Sequence, residues 1–283
     1  MELRKVRQDF RSHLTGLYPD TEVDAMFYVL IQDFLGLPRH ILGLEPQVSL
    51  SPQEFKKMYE VLDSLKSGQP LQYVTGRATF LDMDLAVGPG VLIPRPETEE
   101  LVQWIRECHN ETGAELRVLD VGTGSGCIAI GLKKMLPEAE VHGLDRSHRA
   151  LFFAQKNAES QHLNISWHLA DMQMPGEIVG PFDLIVSNPP YIPESEAKKM
   201  HTNVRDFEPS EALFVPDEDP LLFYKALMGL CGSELKTGGW LYLEIHENFG
   251  DEVEDLLCSH GFEDVLLKKD IFGKPRFVRG KMM

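Results

Sequence analysis

Chemistry is most legible at Asn188, Pro189, Pro190 and Tyr191, which close the run Phe182-Asp-Leu-Ile-Val-Ser-Asn-Pro-Pro-Tyr191. The first half is a short apolar stretch of strand type, led in by Gly180-Pro181 and stopped by two prolines. Neither proline has an N–H to donate, and each holds the preceding residue extended, so the chain leaves the strand in a stiff, turned conformation. Open α/β sheets place ligand chemistry at such carboxyl ends of strands. The chain presents there the Asn188 side-chain amide, the carbonyls of Ser187, Pro189 and Pro190, and the aromatic face of Tyr191. An asparagine amide offers an acceptor and two donor hydrogens, and a proline carbonyl has no N–H beside it. Such a set suits a neutral, flat NH2 group: two acceptors take its hydrogens, a ring stacks on its plane, and its lone pair is oriented for attack. The plainer alternative is a proline-rich loop in which Asn188 caps a turn.

A second constellation is the loop Gly122, Thr123, Gly124, Ser125, Gly126. It lies between an apolar strand, 116–121, and a helix with Ile128, Ile130, Leu132, Met135 and Leu136 on its buried side; the next strand, 141–144, ends on Asp145. Strand, glycine turn, helix and an acid closing the second strand make a nucleotide-binding βαβ unit. The glycines let backbone approach the ligand, and the acid hydrogen-bonds a ribose diol. Dinucleotide folds use Gly-x-Gly-x-x-Gly, a different spacing, and here Asp120 precedes the loop. A carboxylate in that place repels pyrophosphate but pairs, directly or through water, with a cation. S-adenosylmethionine, which carries a sulfonium and an ammonium group, is the ligand this favours. Asp171, after the third strand 165–170, is placed for the adenine amino group. Cys127 has no histidine next to it in sequence to activate it and reads as small packing.

Other elements must position these groups. Residues 1–70 read as short helices, with Val6, Phe10 and Leu14 on one face and Val23, Met26, Phe27, Leu30, Ile31 and Phe34 on another. Ser51-Pro-Gln-Glu54 is a cap, an N1 proline and a capping-box acid. No catalytic cluster lies in this part, which is expected to be an all-α helical bundle that recognises a partner. Residues 71–93 read as extended, a β-hairpin linker. From 94 onward, Pro94-Arg-Pro-Glu-Thr-Glu-Glu100 opens a helix, and strands 116–121, 141–144, 165–170, 182–188, 239–245, 264–269 and 276–280 follow with helices between them. This alternation, with 264–269 and 276–280 expected as a closing antiparallel pair, predicts an α/β fold with a doubly wound, mostly parallel seven-stranded sheet over 94–283.

The chain has 283 residues, 43% of them hydrophobic and 25% charged, in the range of ordinary globular proteins. Its net charge of −16 argues against a clamp on duplex DNA, which needs cationic contacts to phosphate. No apolar run is long enough to span a bilayer, and the start has no apolar leader segment. Cys108, Cys127, Cys231 and Cys258 are far apart without a Cys-x-x-Cys, which fits reduced thiols in a cytoplasmic protein and no metal site.

Asp120-Val-Gly-Thr-Gly-Ser-Gly126 together with Asn188-Pro-Pro-Tyr191 resembles the class I S-adenosylmethionine-dependent methyltransferases that act on planar NH2 groups, DNA adenine methyltransferases among them. The flanks choose between them. Pro70-Leu-Gln-Tyr73 with Gly76 and Phe80, Val91-Leu-Ile-Pro-Arg-Pro-Glu-Thr98, Phe207-Glu-Pro209 with Ala212-Leu213, and the tail Asp270-Ile-Phe-Gly-Lys-Pro-Arg276 are similar to the HemK/PrmC family. These enzymes methylate the glutamine in the Gly-Gly-Gln loop of peptide-chain release factors. The resemblance spans about residues 68 to 280, and the helical front matches in pattern only.

That resemblance implies methyl transfer from S-adenosyl-L-methionine to the side-chain amide nitrogen of that glutamine, leaving S-adenosyl-L-homocysteine and modulating translation termination. It implies cofactor contacts from Gly122, Thr123, Gly124, Ser125, Gly126, Asp145, Asp171, Met172 and Asn188. Asn188 and Pro189 would be the catalytic pair, and Asn188, Pro189, Pro190 and Tyr191 would hold the glutamine. Met172 stands where some relatives carry an aromatic, so a thioether rather than a ring would pack on adenine. The implied partner is a release factor, met by a monomer in the cytoplasm without membrane or sequence-specific nucleic acid. His246 is a candidate base, though a structural place is the expectation for it. Two other readings compete: a nucleic-acid adenine amino methyltransferase, which would need a basic face, and a non-catalytic S-adenosylmethionine-binding module, against which Asn188 counts.

Overall fold

A computed structural model describes residues 1–109, 115–174, 176 and 180–283, and the chain divides into two compact units. The first comprises Met1–Gly76 and His201–Phe207; the second comprises Arg77–Met200 and Glu208–Met283. The first unit is helical: α1 (Leu3–Leu14), α2 (Asp20–Leu35), α3 (Ile41–Leu44), α4 (Pro52–Lys66) and α5 (Leu71–Thr75). Its core is built from the apolar stripes that the sequence spacing predicts, with Phe10 edge-on to Phe27 at 5.4 Å. The capping box at α4 is complete: Glu54 N donates to Ser51 Oγ at 3.3 Å, and Ser51 N donates to Glu54 Oε2 at 2.8 Å.

The stretch expected to be extended from residue 71 is helical up to Thr75. The Pro70 carbonyl accepts from Tyr73 N at 3.0 Å and Val74 N at 3.1 Å, and Gly76 ends the turn in the left-handed region. Five residues are too few to show a helical period, so local bonding to Pro70 decides the conformation. The hairpin that follows is β1 (Arg77–Phe80) and β2 (Met83–Ala86). Its Phe80, Met83 and Leu85 are buried in a core of the second unit, so it is part of that unit's packing and shorter than a 71–93 linker.

The second unit continues with α6 (Pro96–His109), β3 (Arg117–Val121), α7 (Cys127–Met135), β4 (Glu140–Asp145), α8 (His148–Ser160), β5 (Ser166–Leu169) and β6 (Phe182–Ser187). A two-residue strand β7 (Ile192–Pro193) comes next, then α9 (Thr202–Arg205), which belongs to the first unit. The short β8 (Phe214–Val215) pairs in parallel with β7, and α10 (Leu222–Glu234), β9 (Leu235–Glu244), α11 (Gly250–Ser259), β10 (Phe262–Lys269) and β11 (Pro275–Met282) complete the chain. The main sheet has seven strands in the order β10-β11-β9-β6-β3-β4-β5. Strands β9, β6, β3, β4 and β5 run parallel, and β11 is antiparallel to both its neighbours. Alternate residues of the central strands feed two cores, one taking Val118, Leu184, Val186 and Tyr242, the other Leu119, Val121, Ile185 and Leu243.

Register sets what the sheet presents at its carboxyl edge. Val121 is paired with Leu144 on one side and Ser187 on the other, and Ser187 is paired with Leu243. The next residue along each strand is therefore Gly122, Asp145, Asn188 or Glu244, all at one level. The chain winds outward from β3 through β4 and β5, then returns to place β6 on the other side of β3. A crevice forms at such a reversal of strand order.

Asn157 on α8 joins three segments beneath that crevice. Its Oδ1 accepts from Ala86 N at 2.6 Å, and its Nδ2 donates to the carbonyls of Ala86 at 3.0 Å and Ser125 at 2.9 Å. It is 1% exposed, so water cannot replace these bonds. Asn157→Leu should lower the unfolding free energy by roughly 3 kcal/mol, since each buried polar group left unpaired costs roughly 1–3 kcal/mol. A urea denaturation series measures it, and an unchanged midpoint would remove Asn157 as the joint between hairpin and glycine loop.

Candidate active site

The glycine loop after β3 is held by backbone and by two carboxylates. Gly122 N and Thr123 N donate to the Leu144 carbonyl at 2.8 and 2.9 Å, and Gly124 N donates to Asp145 Oδ2 at 2.9 Å. Gly126, with φ of +82°, starts α7, and a Cβ there would lie 3.1 Å from both Ala154 Cβ and Ile130 Cδ1. Both the backbone conformation and the space thus favour glycine. Asp120 is fully buried behind the loop; its Oδ2 accepts from Thr123 Oγ1 at 2.6 Å and Ala129 N at 3.1 Å. The sequence places Asp120 toward a cationic ligand. In the structure it does not line the cavity among the described residues, and it works as the internal tie of loop to helix. Its Oδ1 has no hydrogen-bond partner, and burial raises the carboxyl to about 7.

The crevice encloses a cavity of about 410 Å³, within the range of small-molecule sites. Gly122, Thr123, Gly124, Ser125, Asp145, Asp171, Met172, Asn188 and Pro190 line it, so two motifs more than sixty positions apart in sequence share one space. Gly126, Pro189 and Tyr191 are not among its lining residues. Burial raises the Asp145 carboxyl, whose oxygens accept from Ser147 N at 2.8 Å and Gly124 N at 2.9 Å. Asp171 Oδ1 accepts from Gln173 N at 2.9 Å, and its Oδ2 lies 4.0 Å from Arg146 Nη1. Met172 Cε sits 3.7 Å from where a Cβ on Gly122 would be, so the thioether covers the first glycine. Cys127 also lines the cavity, and burial, with Asp120 nearby, pushes its thiol up to about 12, which keeps it protonated and un-nucleophilic at neutral pH.

The opposite wall is organised by a carboxylate that sequence reading does not single out. Glu244 ends β9 and is 1% exposed; burial raises its carboxyl. Thr98 Oγ1 on α6 donates to Glu244 Oε2 at 2.7 Å, and Tyr191 OH donates to Glu244 Oε1 at 3.0 Å. Asn188 Nδ2 in turn donates to Thr98 Oγ1 at 3.2 Å. Tyr191 therefore directs its hydroxyl into the core, with its ring T-shaped to His246 at 6.1 Å, and burial next to Glu244 pushes its phenol well above the usual range. His246 is buried, accepts from Asn248 N at 3.2 Å through Nδ1, and does not line the cavity. A second acid, Glu208 of the Phe207-Glu-Pro209 motif, accepts from Ile93 N at 3.0 Å and Arg95 Nη2 at 2.6 Å and so pins the Pro94-Arg95 loop along the cavity, a role the motif alone does not indicate. The signal available for Glu244 is that it closes an apolar strand as Asp145 does.

The cavity has apolar walls from Val91, Ile128, Ala150 and Phe223, with the carboxylates of Asp145, Asp171 and Glu211 spaced along it. Ser125 Oγ, on the glycine loop, adds an unpartnered buried oxygen to this wall. This donor set suits a ligand with a flat apolar body, hydroxyls and a cationic end. Among the described residues, no cluster of His, Cys, Asp and Glu could hold a metal ion, and no helix is long and apolar enough to cross a membrane.

Comparison with known proteins agrees with this geometry. Residues 98–207 match the family model described as the methyltransferase small domain, and residues 5–76 match the PrmC N-terminal domain. A release factor glutamine methyltransferase of Flavobacterium psychrophilum is 39% identical, over 99% of this chain and 99% of its own. One from Bacteroides thetaiotaomicron is 40% identical, over 98% and 99%. A T. thermophilus 16S rRNA methyltransferase solved with AdoMet and guanosine is 20% identical, with a TM-score of 0.53 over 73% of this chain and 50% of that one, a likeness of fold.

The buried Asp120 makes stability depend on pH. Its folded-state value, raised from 3.8 to about 7, means that the native chain holds this proton more tightly than the unfolded chain does. Stability from this group is full below about pH 4 and falls as pH rises to about 7, by on the order of 4 kcal/mol at about 1.36 kcal/mol per unit. Asp120→Asn has no such proton to lose. Urea midpoints from pH 4 to 8 should show the variant gaining on the wild type as pH rises; parallel curves would contradict the assignment.

Proposed function

Because this chain belongs to the release factor glutamine methyltransferase family, we propose that it methylates the side-chain amide nitrogen of the glutamine in the Gly-Gly-Gln loop of a peptide-chain release factor, with S-adenosylmethionine as cofactor. The observation that carries this reading is the single cavity in which Asn188 and Pro190 face the glycine loop and Asp145. The backbone of residues 122–126 and the carboxylates of Asp145 and Asp171 would hold the nucleoside, with Met172 packed on it. Each Asp145 oxygen already accepts one backbone N–H and has a further lone pair for a ribose hydroxyl. The acidic wall suits a ligand with a positive charge. Bound there, the cofactor supplies a methyl group on a sulfonium, and its transfer to nitrogen releases one amide proton.

An amide nitrogen is a weak nucleophile because its lone pair is delocalised into the carbonyl. Asn188 Oδ1 can accept one of the two amide hydrogens, which fixes the direction of the nitrogen; the Pro189 carbonyl, expected from the sequence to take the other, is not on the cavity wall. Holding two reactants in such an arrangement is worth up to ~7–11 kcal/mol in well-oriented systems. The tyrosine's share is to support: its hydroxyl is committed to Glu244, and its ring packs on the core beside Pro190. No side-chain base is required if the proton leaves during or after transfer.

Every exposed glutamine offers the same amide, so selection of one needs contacts beyond the cavity. The helical unit has no catalytic cluster and matches the PrmC N-terminal domain over 5–76. We assign it the task of gripping the release factor away from the Gly-Gly-Gln loop, and place the enzyme in the cytoplasm, acting as a single chain on a translation protein.

Asn188→Ala should lower single-turnover methylation of a release factor by about 10²–10³-fold, the loss typical of one oriented polar group at a reacting centre. Calorimetry should show S-adenosylmethionine affinity changed by less than about threefold. Near-normal turnover would refute the role of Asn188. Hydrogen exchange on the wild-type complex tests the helical unit: amides of α1, α2 or α4 should gain protection when release factor is added, and unchanged exchange there would remove the unit from recognition.

A further inference from the structure

A carboxylate has no proton to give. Glu244 is 1% exposed, so both its oxygens take protein hydrogens, one from Thr98 and one from Tyr191. Once Thr98 Oγ1 has donated its only proton at 2.7 Å, it can act toward any further neighbour only as an acceptor. The neighbour is Asn188, at 3.2 Å. An asparagine side chain can present either its oxygen or its NH2 at nearly the same place, but an acceptor-only hydroxyl tolerates only the NH2. The amide must therefore turn Nδ2 toward Thr98 and leave Oδ1 on the cavity side, where it accepts no hydrogen bond from the described residues.

We propose that Glu244, acting through Thr98, is a positioning residue that sets which face of the Asn188 amide meets the substrate. The direction of donation passes along the chain Asn188 to Thr98 to Glu244, and the Tyr191 hydroxyl keeps the carboxylate from rotating away. The parts come from three elements: α6 supplies Thr98, the exit of β6 supplies Asn188 and Tyr191, and β9 supplies Glu244. Their coincidence follows from the register that sets Ser187 beside Leu243. An Asn188 turned the other way would present NH2 hydrogens to the NH2 of a bound glutamine, donor against donor. The inference rests on the function proposed above for this cavity.

Glu244 does not line the cavity, whereas Thr98 does, and this separates positioning from direct contact. In Glu244→Gln the side chain keeps its size and two hydrogen bonds, but its amide can either donate to or accept from Thr98, so the direction is no longer enforced. Thr98→Val removes the hydroxyl, and Thr98→Ser restores it. With wild-type methylation of a release factor as reference, kcat should fall about 10–100-fold in Glu244→Gln and Thr98→Val, the range seen when a supporting hydrogen-bond partner is lost. KM for the release factor should stay within about threefold, and Thr98→Ser should recover most of kcat. NMR of the Asn188 side-chain amide supplies a readout independent of turnover. The resonance of the Nδ2 proton bonded to Thr98 should be displaced from the position of a free asparagine amide in the wild type and should move toward it in Thr98→Val. Normal kcat in a folded Glu244→Gln, or an Asn188 amide signal unchanged by Thr98→Val, would overturn the inference. An inactive wild type with the amide signals as described would instead strike at the proposed substrate and leave the positioning chain standing.

Discussion

A carboxylate removed from water must be met by donors, and the site is arranged around two such groups. Glu244 draws Thr98 from α6 and Tyr191 from the exit of β6 toward the end of β9. Asp120 draws Thr123 and the first turn of α7 onto the end of β3. Each pays a desolvation cost that raises its carboxyl above the usual range. In return each fixes the direction of a polar group that borders the cavity. Both acids sit at the carboxyl edge of the sheet, where parallel strands end together and where loops alone cannot hold geometry.

The sheet's register converts those local ties into a site. Because Leu144, Val121, Ser187 and Leu243 lie side by side, the residues after them emerge in one row: a cavity-lining acid, a glycine, an amide and a buried acid. A slip of one residue on any strand would reverse its side chains and empty the row. The prolines after Asn188 add stiffness on one side, and Glu208 adds it on the other by holding Ile93 and Arg95. The chemistry proposed for the protein is orientation of a weak nucleophile, a task that rests on stiff, well-tied groups.

Much of this was legible in the sequence because it rests on local rules. Glycine spacing, an acid closing a strand, and an asparagine before two prolines each have one economical explanation, and all nine expected cofactor and substrate positions other than Gly126, Pro189 and Tyr191 line the cavity. What stayed hidden depends on pairing across the chain. Thr98 and Glu244 are 146 positions apart, and nothing local to Pro-Glu-Thr-Glu or Leu-Tyr-Leu-Glu announces that they touch. The place of Asp120 before the glycine loop suggests a cationic partner, and its neighbours in the fold turn it inward. Tyr191 reads from the sequence as a stacking face, and nothing local announces that its hydroxyl is tied to Glu244. The helix at 71–75 is not legible because five residues carry no period, and β7 and β8 are not because two residues carry none.

The central claim is that the amide nitrogen of one glutamine receives the methyl group. Tandem mass spectrometry of an intact release factor, incubated with this protein and isotopically labelled S-adenosylmethionine, addresses it directly. The account predicts one labelled methyl group per release factor chain, located on the side-chain nitrogen of the Gly-Gly-Gln glutamine and absent when Asn188→Ala replaces the wild type. Label on another residue, or label transferred equally well by the Asn188→Ala protein, would contradict it.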